Sequence, residues 1–312
     1  MITFLASPKP FIGIAKEHQF RAIKSWQASC VNAEIILYGN STGIDEAAAE
    51  LGVNVVKEIA STSSGVPYFS SIVNHATDYA KHDLQIYLNC DILLTGYLQT
   101  VKEVEFEQFL LIGQRMDLSE GMVIDLTEPE WLKALEHLAQ KGNVTLYPPS
   151  GIDYFGFRRG LWKDLSPIVI GRAGYDNALL AYCLRCGVPI IDATFSVVAL
   201  HQYHNYKHLI GGQQAVWTGE DAINNINYAG GRKSLPILSD ANYVLNYLGI
   251  KCQVNRRHWL RKLQLKLRYE ADCPKAALIP RAIYQFLHGI GFRFENQHSL
   301  NEVLDNLKNL TK

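Results

Sequence analysis

The sequence predicts an α/β fold: a mainly parallel sheet flanked by helices, with a helical appendage at the C-terminal end. Three observations predict the layered sheet. Short apolar runs alternate with helix-period segments from the first residues onward, the runs are near-continuous as in strands buried on both faces, and no internal repeat interrupts the order. At 312 residues the chain exceeds one small domain and falls short of two large ones. The expected division is a main domain over 1–250 and a basic helical appendage over 251–312.

Taken in order, Ile2–Ala6 reads as the first strand, and Pro8 and Pro10 punctuate the loop after it. A helix is expected from about Glu17 to Ser29, with Phe20, Ala22, Ile23 and Trp26 at helical spacing. Glu34–Gly39 is a buried-strand run, followed by a helix at Ile44–Leu51 and a strand at Val53–Ile59. A Ser/Thr/Gly loop at Ser61–Gly65 leads to a helix ending at Ala80, and Leu84–Leu88 is the next strand. Further on come a strand at Phe109–Gly113, a helix at Glu130–Lys141 closed by Gly142, and a strand at Tyr154–Arg158. A helix spans Gly174–Gly187, and Ile190–Leu200 is a long β-prone run ending at His201.

Composition narrows the function. Lys+Arg and Asp+Glu balance at 30 each, so no global charge recruits nucleic acid. No window holds the roughly 18 uninterrupted apolar residues of a membrane span, and MITFLASPKPF lacks the basic start of a signal peptide. A soluble, cytoplasmic protein is expected. Of Cys30, Cys90, Cys183, Cys186, Cys252 and Cys273, only Cys183 and Cys186 form a C-x-x-C, inside a helical pattern with no second pair for zinc. Buried, reduced thiols are expected.

The informative segment is Leu88-Asn89-Cys90-Asp91-Ile92, which sets a carboxylate just past a buried strand. In open α/β sheets ligands bind beyond the carboxyl ends of strands, and a carboxylate there can hold a divalent cation that grips a diphosphate. Local turn capping is the competing reading of Asn89 and Asp91. Asp176 opens the helix after Gly174-Tyr175, where an acid also complements the helix dipole. His201 and His204 follow a strand, where an imidazole completes a metal shell or bonds at the surface. Arg115 either meets phosphate or pairs with Asp117, and Asp153 either contacts sugar hydroxyls or serves a turn. Arg158 and Arg159 are expected to solvate a strand end, while Tyr203, Tyr206 and Trp217 offer sugar-stacking faces or simply pack.

In their order these pieces resemble the GT-A glycosyltransferases, and in layout the family 2 inverting enzymes. Ser64-Gly65-Val66-Pro67 resembles the nucleotide loop, and Asn89-Cys90-Asp91 the D-x-D. Tyr175-Asp176 resembles the E-D, and His201 the late histidine. Asp176 and Gly187 keep the family's eleven-residue separation, and Gly151–Arg159 resembles its Gly-containing strand ending in Arg-Arg. The likeness covers about residues 1–205 and departs at Asn89 and Tyr175, which replace acids.

The resemblance implies transfer of a sugar from a nucleotide-diphosphate donor to a glycan or lipid-linked hydroxyl, in polysaccharide biosynthesis. It implies donor contacts at Gly65, Asn89, Asp91 and Arg115, and acceptor contacts at Asp153 and Tyr175. Mn²⁺ or Mg²⁺ would sit on Asp91, His201 and His204, and Asp176 would act as base with inversion. The competing readings are a non-catalytic glycan- or nucleotide-sugar-binding relative and a sugar-nucleotide pyrophosphorylase. The latter ranks lower because Ser7-Pro8-Lys9-Pro10 has no glycine-rich phosphate loop.

Residues 251–268 hold seven Lys/Arg and no acid. Arg256, Arg257, Arg261, Lys262 and Lys266 surround Trp259, Leu260, Leu263 and Leu267 on a helical projection. That pattern reads as an interfacial anchor at the inner face of a membrane, or as a helix packed on the domain with a solvated basic side.

Overall fold

The computed structural model describes residues 1–204, 217–232, 235–253, 256–267, 275–289 and 298–310. The first half runs β1 (Ile2–Ala6), α1 (Gly13–Ser29), β2 (Glu34–Tyr38), α2 (Ile44–Leu51), β3 (Asn54–Val56), α3 (Phe69–Tyr79) and β4 (Leu84–Leu88). β5 (Ile92–Gly96), α4 (Leu98–Lys102), β6 (Leu110–Ile112), β7 (Met116–Leu118), α5 (Trp131–Gln140), β8 (Val144–Leu146) and β9 (Tyr154–Arg158) follow. Next come α6 (Tyr175–Arg185), β10 (Ile190–Asp192), β11 (Val197–His201), α7 (Glu220–Tyr228), β12 (Tyr243–Asn246) and β13 (Gly249–Cys252). α8 (Arg256–Leu265), α9 (Leu278–Gly289) and α10 (Leu300–Leu310) complete the described elements.

The large sheet has the order β13-β12-β10-β6-β9-β4-β1-β2-β3. β3, β2, β1 and β4 are mutually parallel, as are β6, β10 and β12, while β9 runs antiparallel to both β4 and β6. This is the α/β, mainly parallel, helix-flanked sheet that the apolar runs predict. Every residue of β1, β2 and β4 is buried because both faces are covered. Phe4, Leu37 and Ile86 point into one core with Ile23 and Trp26 of α1. Leu5, Ile36 and Tyr87 point into the other with Ile72 of α3 and Leu179 of α6.

The expected run Ile190–Leu200 is two strands, not one. Asp192 Oδ1 accepts the Thr194 backbone N–H at 2.9 Å and the Thr194 hydroxyl, a local turn that stops β10. The chain then leaves the large sheet and continues as β11 in a smaller one, of order β5-β11-β7-β8. β5 and β11 approach so closely that a Cβ on Gly96, at φ +110°, would lie 2.5 Å from the Ser196 carbonyl oxygen. The helix expected from Glu17 begins four residues earlier, at Gly13, and the strand expected over Val53–Ile59 is confined to Asn54–Val56.

The expected boundary after residue 250 falls inside β13, which pairs with β12 in the large sheet. α10 buries Val303, Leu304 and Leu307 in the same core as Phe4 and Trp26. Cys30, Cys90 and Cys183 are buried thiols as expected, but Cys186 and Cys252 are exposed; Cys273, like Tyr206, lies outside the described residues. Arg158 and Arg159 do more than solvate a strand end. Arg158 donates to the carbonyls of Phe106 and Val104 and pairs with Asp83, and Arg159 donates to the carbonyls of Thr77, Ala80 and His82.

Candidate active site

The parallel strands β1, β4 and β6 release their chains at one edge of the sheet, at Ser7–Pro10, Asn89–Asp91 and Gly113–Arg115. The chain leaves β1 toward β2 on one side, while β4 lies on the other, which makes this edge the switch point where open α/β sheets hold ligands. Because β9 is reversed, its first residues and the preceding Gly151–Asp153 arrive at that same edge. The small sheet adds His201, whose register places it opposite Ile92 of β5 and Asp117 of β7.

Two polar clusters result. In the first, Asp91, His201 and His204 each offer a ligand atom, all within 4.8 Å of one another. The His201 and His204 rings meet edge to face at 4.9 Å, and His204 Nε2 is 3.6 Å from Asp91 Oδ2. Lys9 Nζ donates to the same Asp91 oxygen at 2.8 Å. Burial pushes the Asp91 carboxyl up, but Lys9, His201 and His204 outweigh it and hold it at about 2. Gln202 fixes the backbone here by donating to the carbonyls of His18 and Asp91, both at 2.9 Å. One carboxylate oxygen with two imidazole nitrogens is a donor set that fits a divalent ion of Mn²⁺ type.

In the second, Asn89 Nδ2 donates to Asp153 Oδ1 at 2.6 Å, and Tyr175 Oη donates to Asn89 Oδ1 at 3.1 Å. Arg115 Nη1 donates to Asp153 Oδ2 at 2.9 Å, its Nε lies 2.9 Å from Asp117 Oδ1, and its guanidinium stacks 3.9 Å over the Tyr147 ring. Of the two expected readings of Arg115, the ion pair with Asp117 is present, and Arg115 pairs with Asp153 as well. Asp176 sits in the first turn of α6, behind Gly174 as N-cap. Burial pushes its carboxyl up to about 7, and the neighbouring Asp153 charge adds to the rise against backbone N–H groups and Arg115. Asp117 bridges the clusters, since its Oδ1 is also 3.7 Å from His201 Nδ1.

The structure thus groups Asp91 with His201 and His204, and Asn89 with Arg115, Asp153, Tyr175 and Asp176. Gly65 joins neither; it is exposed in a turn closed by its N–H on the Thr62 carbonyl at 2.9 Å. That loop still returns toward the edge, because Pro67 and Ser7 both border Gly39 at the end of β2. Tyr203 and Trp217 are exposed rather than packed. Lys9 and Asp117 were not singled out as site residues by sequence, and only Lys9's position directly after a buried strand marks it as arriving at the edge.

No family model matches the chain, and no curated protein matches it. Among solved structures it is similar to TarS of S. aureus, with 14% identity over 39% of this chain and 23% of that one, at a TM-score of 0.30. A mycobacterial protein matches at 13% identity over 74% of this chain and 75% of that one, with a TM-score of 0.43. Glucosyl-3-phosphoglycerate synthase of Mycobacterium tuberculosis, in complex with Mn²⁺, UDP-glucose and phosphoglyceric acid, matches at 14% identity over 74% and 80%, with a TM-score of 0.41. This chain spans only 23% of the TarS chain.

Proposed function

We propose that the protein is a nucleotide-sugar-dependent glycosyltransferase of the GT-A type, moving a sugar to the hydroxyl of a glycan or lipid-linked acceptor. One observation carries the reading. A carboxylate–imidazole cluster suited to a divalent cation and a carboxyl held near neutrality meet at the carboxyl edge of a parallel sheet, joined through Asn89, Asp153, Arg115 and Asp117.

Asp91, His201 and His204 would hold Mn²⁺ or Mg²⁺, the two nitrogens favouring Mn²⁺. When bound, such an ion supplies countercharge for a departing diphosphate. Lys9 brings a further cation to the same edge and meets phosphate oxygens when it leaves Asp91. Arg115 spends its charge on Asp153 and Asp117, so it positions those acids rather than gripping donor. Asn89 likewise has both side-chain polar atoms engaged and acts by holding Asp153 and Tyr175 in place. Asp176 takes the proton of the attacking hydroxyl, a role for which a carboxyl titrating at about 7 is suited. A single displacement of this kind inverts the anomeric centre.

The test is nucleoside diphosphate release from a panel of nucleotide sugars with Mn²⁺. Asp91→Ala and Asp176→Asn should each lower the rate by about 10²–10⁴-fold. Wild-type activity should rise with pH through about 7 and level off above it, because the base works only when ionised. Full turnover by Asp176→Asn removes it as the base, and a product retaining the donor's anomeric configuration by NMR removes inversion. A second reading, a binding relative without transfer, is favoured by the Lys9–Asp91 ion pair, which neutralises the carboxylate without any metal. Tight nucleotide-sugar binding with no turnover across the panel establishes that reading instead.

A further inference from the structure

The sequence places five basic residues on one face of the first tail helix, and the structure divides them. Arg261 is turned inward: its Nε and Nη2 each lie 3.1 Å from a different oxygen of the buried Asp240 carboxylate. His258 contacts the Ala241 carbonyl at 2.6 Å, and Gln264 is buried, so these residues seat α8 on the domain. The opposite stripe of α8, Trp259-Lys262-Leu263-Lys266, follows helical spacing and faces solvent, with Trp259 67% exposed. α9 packs against α8 and repeats the pattern: Ile279, Ala282, Ile283 and Phe286 share one exposed stripe, Phe286 again at 67%.

Burying such side chains is worth roughly 1.5–3 kcal/mol each, so leaving so many of them exposed on adjacent helices marks a surface with an absent partner. Charge indicates which partner. Residues 256–289 contain Arg256, Arg257, Arg261, Lys262, Lys266, Arg268, Lys275 and Arg281 against two acids, Glu270 and Asp272. The whole chain is balanced at 30 against 30, so the basic excess is local to this helix pair. Two copies meeting through this face would set lysine against lysine. An anionic bilayer surface answers both features: acyl chains take the apolar stripes, Trp259 suits the headgroup boundary, and the lysines reach lipid phosphates on apolar stems. Among the described residues no helix is long and apolar enough to cross a membrane, so the contact is interfacial.

We infer that α8 and α9 form a two-helix platform on which the protein lies against anionic lipid, through Trp259, Leu263, Ile279, Ile283 and Phe286 with Lys262 and Lys266 at the headgroups. This deepens the proposed transfer reaction by assigning it a lipid-linked acceptor presented at that surface.

The experiment is flotation of the full chain with phosphatidylglycerol/phosphatidylcholine vesicles and with phosphatidylcholine alone, run beside light scattering of the free protein. The wild type should float with the anionic vesicles and lose binding at high salt. Trp259→Glu with Phe286→Glu, both exposed positions, should abolish flotation while leaving the melting temperature unchanged. Lys262→Gln with Lys266→Gln should weaken anionic binding about fivefold per lysine and leave any binding to phosphatidylcholine untouched. Absence of flotation at every composition overturns the inference. A stable dimer that the Glu variants dissociate also overturns it, by assigning the face to a second copy. Neither readout involves sugar transfer, so failure of the platform and failure of the glycosyltransferase reading are distinguished by nucleoside diphosphate release.

Discussion

Lys9 lies 82 residues from Asp91 in sequence and 2.8 Å from it in space. Asp91 was legible because a carboxylate just past a buried strand sits where open α/β sheets hold ligands. Its partner was not, since a lysine between two prolines carries no local mark of what it will face. The same holds for Asp153, whose place beside Asn89 and Arg115 follows from β9 running backward and not from its neighbours in sequence. Lys9 and a divalent cation compete for one Asp91 oxygen, whereas Lys9 and a diphosphate attract. Replacing Lys9 by Met should therefore tighten Mn²⁺ binding and weaken nucleoside diphosphate binding, each by about tenfold. Isothermal titration of each ligand separately measures this, and two unchanged affinities would dismiss Lys9 from the site.

Among elements, the strands with unbroken apolar runs were legible to within a residue: Ile2–Ala6, Leu84–Leu88 and Tyr154–Arg158 are as the pattern places them. Burial on both faces keeps these runs largely apolar from end to end, so their limits stand out in the sequence. The short strands of the small sheet were not legible, because three-residue pairings such as Met116–Leu118 depend on distant partners rather than local preference. The break at Asp192 was hidden for a related reason: Ala193–Ser196 is compatible with a strand, and the Asx turn competes with the ladder only in three dimensions. α6 shows how tightly one element end is specified. Gly174 has φ +82°, and a Cβ there would meet Ile226 Cγ1 at 2.8 Å and its backbone nitrogen at 3.1 Å. Gly174→Ala should cost about 1–3 kcal/mol in urea unfolding and lower activity further by displacing Asp176. A midpoint equal to that of wild type would show that the turn relaxes at no cost.

For the molecule as a whole, the expected division into a main domain and an appendage meets a chain that comes back. The amphipathic period of α10 was visible in principle, but a period does not say which core a helix joins. Besides its apolar face, α10 is seated by the buried Asp192–His298 pair at 2.7 Å, with Phe195 against the imidazole ring. Burial pushes His298 down, but the hydrogen bond and charge of Asp192, helped by Glu302, carry it above its ordinary value. Its folded value being raised, the pair's contribution is complete below the unfolded histidine range and fades as pH rises through the folded value. Urea unfolding of His298→Gln should thus show a deficit of about 3–5 kcal/mol near pH 6 that narrows toward pH 9. A deficit independent of pH would mean packing, not charge, holds the helix.

The reversed direction of β9 has its own consequence. One wall of the candidate site, from Lys9 to Asp91, is built by successive crossovers of the first ninety or so residues, and shifting any of them disturbs the sheet's centre. The other wall reaches the edge through a detour over β7, α5 and β8 before turning back at Gly151. Lengthening or trimming the α5 segment between β7 and β8 would reshape the guest side of the site while β7 keeps Asp117 beside His201 and Arg115, so altered selectivity has a route here that leaves the chemistry in place.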